Sequence, residues 1–134
     1  MSDERTVRGQ VESAAYFLGV DLGGSQMRMA AVTPAGQLAS GVESVPTGKA
    51  FGPQDLQRGL RELAQRVRSA LRGRSLAAVG FGTAGVVSQG PLSQCDNLPL
   101  LNGVDIKELV GETVGRPAAL ENDARCFTLA EARY

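Results

Sequence analysis

Histidine and tryptophan are both missing from this 134-residue chain. Without an imidazole, no Ser-His or Cys-His pair can activate a nucleophile, and zinc loses its usual nitrogen ligand. Cysteine is scarce as well. Cys95 and Cys126 lie far apart and outside CxxC spacing, which predicts free thiols in a cytoplasmic protein rather than a bridge or a metal site. Net charge is absent, with Lys+Arg and Asp+Glu at 14 each, so a nucleic-acid partner gains no support. No apolar run is long enough to span a bilayer, and the opening Met1-Ser2-Asp3-Glu4-Arg5 does not resemble a secretory signal. A membrane partner is therefore not expected. Apolar residues make up 43 % and charged residues 21 %, an ordinary balance for one globular domain with a real core.

Glycine, by contrast, is plentiful at 17 residues. Its most informative placement is Gly19-Val20-Asp21-Leu22-Gly23-Gly24-Ser25-Gln26, directly after the apolar run Tyr16-Phe17-Leu18. This reads as a buried strand that carries a carboxylate to its C-terminal end, a tight turn, and a second strand at Met27–Val32. Adjacent glycines can take dihedrals closed to other residues and let a ligand approach the main chain. Successive amides in such a turn suit phosphate oxygens. Ser25 adds a hydroxyl, and Asp21 a carboxylate of the kind that holds a hydrated Mg²⁺. No Gly-Lys-Ser/Thr follows, and the next element is a strand rather than a helix, so neither the Walker loop nor the dinucleotide fingerprint applies. An ordinary Gly-Gly hairpin turn is the competing reading.

Residues 1–13 are polar and aperiodic and read as a flexible tail; the domain is expected over 14–134. After Thr33-Pro34-Ala35-Gly36, a turn signal, a third strand is expected near Gln37–Val45, completing an antiparallel meander. Pro53 and Asp55 open a helix whose Leu56, Leu60, Leu63, Val67 and Leu71 recur at helical spacing, with Gly73 as its stop. The arginines of this helix read as a solvated face, because acidic residues interrupt them and aromatics are missing. Leu76–Phe81 is a strand without polar alternation, expected to be buried on both faces. The flexible turn Gly82-Thr83-Ala84-Gly85 ends it. An extended piece over Val86–Leu92, a loop over Asn97–Gly103, a helix over Asp105–Thr113, a strand at Ala118–Leu120 and a helix over Ala124–Arg133 complete the order. The result is an α/β fold in which parallel strands extend the meander and helices cover both faces of a mixed sheet. Ligands in such sheets sit beyond the strand C-termini. Asp21 with Gly23-Gly24, Thr83-Ala84-Gly85 and Asn122-Asp123 all fall there.

Taken together, these motifs resemble the ROK family of bacterial sugar kinases and repressors, within the actin–hexokinase–Hsp70 superfamily. The resemblance runs from about Tyr16 to Tyr134 and rests on Gly19–Gln26, Gly80–Val87, Asn97–Ile106 and Glu121-Asn122-Asp123-Ala124. It implies a ribonuclease H-like (actin-like ATPase) fold and ATP-dependent phosphorylation of a hexose or amino sugar. By position, Asp123 matches the general base, while Asn122, Gly85 and Asn97 match sugar-side residues. Gly19, Asp21, Gly23, Gly24, Ser25 and Gln26 match the ATP-phosphate motif, with Asp21 reaching Mg²⁺ through water. Asp123 also suits a helix N-cap. Ser25 stands for the usual threonine, Gln26 for a common lysine, Ala84 for a common proline and Ser88 for a frequent aspartate. Leu100-Leu101 replaces a frequent Gly-Trp, and Arg125 a frequent asparagine. The family's second half, with the adenosine pocket, sugar-holding histidine, zinc site and oligomer contacts, is not matched here. The resemblance thus implies the N-terminal half of a two-domain kinase, inactive alone, that forms homo-oligomers through the C-terminal domain. The alternatives are the sugar-sensing domain of a ROK-type repressor and a silent sugar-binding scaffold.

Overall fold

The computed structural model describes residues 15–83, 86–87, 92–93 and 97–120. The expected tail over 1–13, Ala84, Gly85, Cys95, Asn122, Asp123, Cys126 and the helix over Ala124–Arg133 lie outside the described residues.

β1 (Ala15–Leu22) and β2 (Gln26–Val32) form an antiparallel hairpin in which Leu22 faces Met27 and Phe17 faces Val32. β3 (Glu43–Pro46) pairs antiparallel with β2. On the other side of β1, β4 (Ser75–Thr83) runs parallel to it, and β7 (Ala118–Leu120) runs parallel to β4. The sheet order is β3-β2-β1-β4-β7. β5 (Val86–Val87) and β6 (Leu92–Ser93) make a separate small hairpin where the sequence suggested one extended piece.

Two expectations about strands need correction. The third strand does not start at Gln37. Leu38 makes only a single bridge to Val32, and the Ser40 hydroxyl then accepts the Ala31 amide at 2.8 Å. A side-chain oxygen there takes the ladder position of a carbonyl, so regular pairing waits until Glu43. β4 is not buried on both faces along its length. Ser75 and Ala77 are exposed, and continuous burial begins only toward Phe81 and Gly82. The exposed Ser75 and Ala77 alternate with Leu76 and Ala78, so one face of this half lacks cover among the described residues, and β7 flanks β4 only from Val79 to Phe81.

α1 (Pro53–Arg68) begins where Pro53 fits the first turn and the Asp55 carboxylate accepts the Gly52 amide at 2.8 Å, two features that suit a helix start. It ends before the expected stop. The Ser69 hydroxyl bonds the Arg66 carbonyl at 2.8 Å, and Gly73 instead takes φ 77° in the turn into β4. α2 (Ile106–Val114) is capped by the Asp105 carboxylate, which accepts the Glu108 amide at 3.1 Å, and Gly115 closes it at φ 77°. Leu56, Leu60, Leu63 and Val67 of α1 and Ile106 and Val110 of α2 are buried in one core with Leu18, Val20, Leu22, Met27, Met29 and Phe81. Each such side chain contributes about 1.5–3 kcal/mol of burial. The fit is tight at Gly59, where a Cβ would lie 2.8 Å from the Met27 Cε.

Candidate functional site

β1, β3 and β4 all point the same way, so their C-terminal ends share one edge of the sheet. The Gly23-Gly24-Ser25 turn lies on that edge. Its closure is local: the Gly23 amide donates to the Gln26 carbonyl at 2.9 Å. Its position is not local. The segment after β3 grips it, with the Thr47 hydroxyl donating to the Gly23 carbonyl at 2.7 Å and the Thr47 amide to the Ser25 carbonyl at 3.0 Å. With both carbonyls held from one side, the amides of Gly24 and Ser25 donate to no backbone carbonyl among the described residues. Two amides left over in one turn suit an anionic oxygen.

The glycines are needed for space rather than for dihedral freedom, contrary to the sequence expectation. Neither Gly23 nor Gly24 has a positive φ. A Cβ on Gly24 would sit 2.7 Å from the Asn97 Cβ, and one on Gly23 would sit 3.0 Å from the Gln26 carbonyl oxygen. Asn97, expected on the sugar side, is thus packed directly against the expected phosphate turn. Leu98 and Leu101 anchor it there: both are fully buried, and the short 3₁₀ turn Pro99–Leu101 lies between Asn97 and α2.

Asp21 lies inside β1, one residue short of its end. Its neighbours Val20 and Leu22 belong to the core, so strand alternation turns Asp21 to the opposite face. There Arg28, its register partner on β2, donates to Asp21 Oδ2 from Nη2 at 2.7 Å and from Nε at 3.2 Å. On the other side Asp21 is in register with Gly82, which adds no side chain. Gly19 is buried in mid-strand between Ala30 and Gly80 and is not brought to the turn. Ser25 and Gln26 are exposed. The edge therefore gathers Asp21, Gly23, Gly24, Ser25, Gln26 and Asn97. Gly85, Asn122 and Asp123 lie outside the described residues.

Arg28 and Thr47 went unnoticed in the sequence. Counting back from the turn finds the first, since a hairpin pairing Leu22 with Met27 must pair Asp21 with Arg28. Nothing local marks Thr47, because its contact depends on the register of β3. The donor set also bears on magnesium. One Asp21 oxygen is already held by Arg28, and among the described residues no group of three His, Cys, Asp or Glu comes together. This fits a hydrated cation reached through water rather than a cage of direct ligands.

The ROK family profile matches residues 17–134. The glucokinase of Streptomyces coelicolor is 30% identical over 122 residues, covering 87% of this chain and 35% of that protein. The chain thus spans about a third of the length of the curated relatives it matches. Among solved structures, the inorganic polyphosphate/ATP-glucomannokinase of Arthrobacter sp. strain KM is 29% identical with a TM-score of 0.70, over 90% of this chain and 49% of that one. A ROK family glucokinase from Streptomyces griseus, in complex with glucose and AMPPNP, is 26% identical with a TM-score of 0.62, over 80% of this chain and 33% of that one. These neighbours carry the actin-like ATPase fold that the family resemblance implies. The chain belongs to the ROK family.

Proposed function

We propose that this chain is the N-terminal half of an ATP-dependent hexose kinase that moves the γ-phosphate of ATP to a sugar hydroxyl. The observation that carries the reading is the contact of Asn97 with Gly24, which joins the sugar-side segment to the phosphate turn at one sheet edge. Phosphoryl transfer asks mainly for positioning and charge stabilisation. In this reading the free amides of Gly24 and Ser25, with the Ser25 hydroxyl and the Gln26 side chain, hold phosphate oxygens. Asn97, Asn122 and Gly85 receive the sugar. The Asp123 carboxylate takes the proton from the sugar hydroxyl as its oxygen attacks the γ-phosphorus and ADP leaves. A magnesium ion, when bound, offsets phosphate charge, and Asp21 would hold it through water. The Asp21–Arg28 pair keeps that carboxylate in one orientation on the sheet face. The substrate is a hexose or amino sugar. The protein is cytoplasmic, with oligomer contacts and zinc carried by sequence beyond this half. On its own the 134-residue chain has no turnover.

Asp123→Asn in the full-length enzyme tests the reading, because it keeps shape and helix-capping ability but removes the proton acceptor. Steady-state kinetics should show kcat lower by on the order of 10²–10⁴-fold, with the sugar KM changed far less. A near-normal kcat would return Asp123 to a capping role. A full-length protein that binds sugar, lacks turnover and carries a DNA-binding segment would instead favour the repressor-type sensing domain.

A further inference from the structure

The arginines of α1 are not all engaged. Arg58 pairs with Asp55, and Arg66 pairs with Glu62. The guanidinium groups of Arg61 and Arg68 make no ion pair or hydrogen bond among the described residues. With Gln65 they occupy positions i, i+4 and i+7, which places all three on one stripe of the helix. That stripe borders a groove of about 340 Å³ between α1 and α2, lined also by Leu60, Ala64, Thr113 and Val114. Among the described residues, no acidic side chain lines it. On the α2 side, the Thr113 hydroxyl is buried with no hydrogen-bond partner among the described residues. A helical threonine can return its hydroxyl to the carbonyl one turn back, and leaving it buried and unpaired is unfavourable. Two features therefore meet at one groove: a stripe of two unengaged guanidinium groups with an amide between them, and, within its α2 wall, a buried hydroxyl without a partner among the described residues.

The groove is also distant from the edge described above. α1 follows β3 at that edge and leads into β4, whose Ser75 pairs with Ala15 at the start of β1. Residues 61–68 therefore lie toward the opposite end of the sheet. The macrodipole explains a cation at Arg68, in the last helical turn. It does not explain Arg61, two turns earlier.

We propose that the α1–α2 groove is a second anion site, for a small molecule bearing phosphate groups. Arg61 and Arg68 are about 10 Å apart along the helix axis by its 1.5 Å rise, close enough for long side chains to fold over one ligand from both ends. Guanidinium groups bind phosphate oxygens bidentately, Gln65 offers an amide donor between them, and a side-chain rotation of Thr113 toward the groove would give its hydroxyl the partner it lacks. The apolar floor of Leu60, Ala64 and Val114 seats the uncharged part of the molecule.

Pyrophosphate, titrated into the isotope-labelled 134-residue chain at ionic strength held constant with sodium chloride, provides the test. Amide spectra should show saturable shifts at Arg61, Gln65, Arg68 and Thr113. Arg61→Gln/Arg68→Gln should weaken binding by about tenfold or more, as expected when charge-assisted hydrogen bonds are lost. Thr113→Val should weaken it less, and the melting temperature of each variant without pyrophosphate checks that the fold is intact. Shifts confined to Gly23–Ser25, shifts that rise without saturating, or a double variant that binds within about twofold of the parent would each overturn the proposal.

Discussion

Two glycine turns lie at opposite ends of β2, and they use glycine for different reasons. The turn after β2 is self-contained. The Gly36 amide bonds the Thr33 carbonyl, and Thr33 and Gln37 close the loop through backbone and hydroxyl bonds of 2.8 and 3.2 Å. Gly36 sits at φ 82°, where a side chain is strained. The turn before β2 has no positive φ and draws its shape from elsewhere, with Thr47 gripping its carbonyls and Asn97 filling the space above Gly24. One turn is specified by its own five residues. The other is specified by segments 24 and 73 residues away in sequence, and it is the one at the candidate site. A turn held from outside keeps amides unspent for a ligand, which a self-sufficient turn does not.

This contrast can be broken by substitution. Gly24→Ala should be the most disruptive, since its Cβ meets the Asn97 Cβ at 2.7 Å and overpacking costs about 1–3 kcal/mol. Chemical denaturation of Gly24→Ala, Asn97→Gly and the pair should reveal rescue in the double variant. Additive losses would mean that the two residues do not share the space. Gly36→Ala should cost about 1–2 kcal/mol through its left-handed backbone alone. Gly36→Asn should recover part of that loss, and equal melting temperatures for the two variants would remove the dihedral explanation. The smallest effect tests the external grip. Thr47→Val removes the 2.7 Å bond to Gly23 at about 0.5–1.5 kcal/mol, whereas Thr33→Val touches only an exposed 3.2 Å contact. Unfolding midpoints should rank the Thr47 variant clearly below the Thr33 variant, and the reverse order would overturn the distinction.

The same contrast explains what the sequence made legible. The β1–β2 hairpin, α1, α2 and β7 were readable because their determinants are local: apolar spacing, a proline at a helix start, Asp105 before a helix, Gly115 after it. The start of β3 and the burial of β4 were misread because neighbouring segments decide them. Ser40 interrupts the ladder by bonding Ala31, and β7 is too short to flank Ser75–Ala78. The site divides the same way. Asp21, Gly23 and Gly24 stood out as a motif, but the reason for Gly24 lay in Asn97, and Thr47 carried no local mark at all. Arg28 was recoverable by counting across the hairpin.

α1 and α2 both begin at the edge that carries the Gly23-Gly24 turn and both run toward the opposite end of the sheet. Their peptide dipoles therefore add rather than cancel. Each helix presents roughly half a positive elementary charge at its start and half a negative one at its finish, which gives the domain an electrical polarity along the strand direction although its formal net charge is zero. Negative groups gathered beyond the strand ends meet a field already favourable to them, whereas an anion in the α1–α2 groove, near both helix C-termini, has to be held by Arg61 and Arg68 against that field.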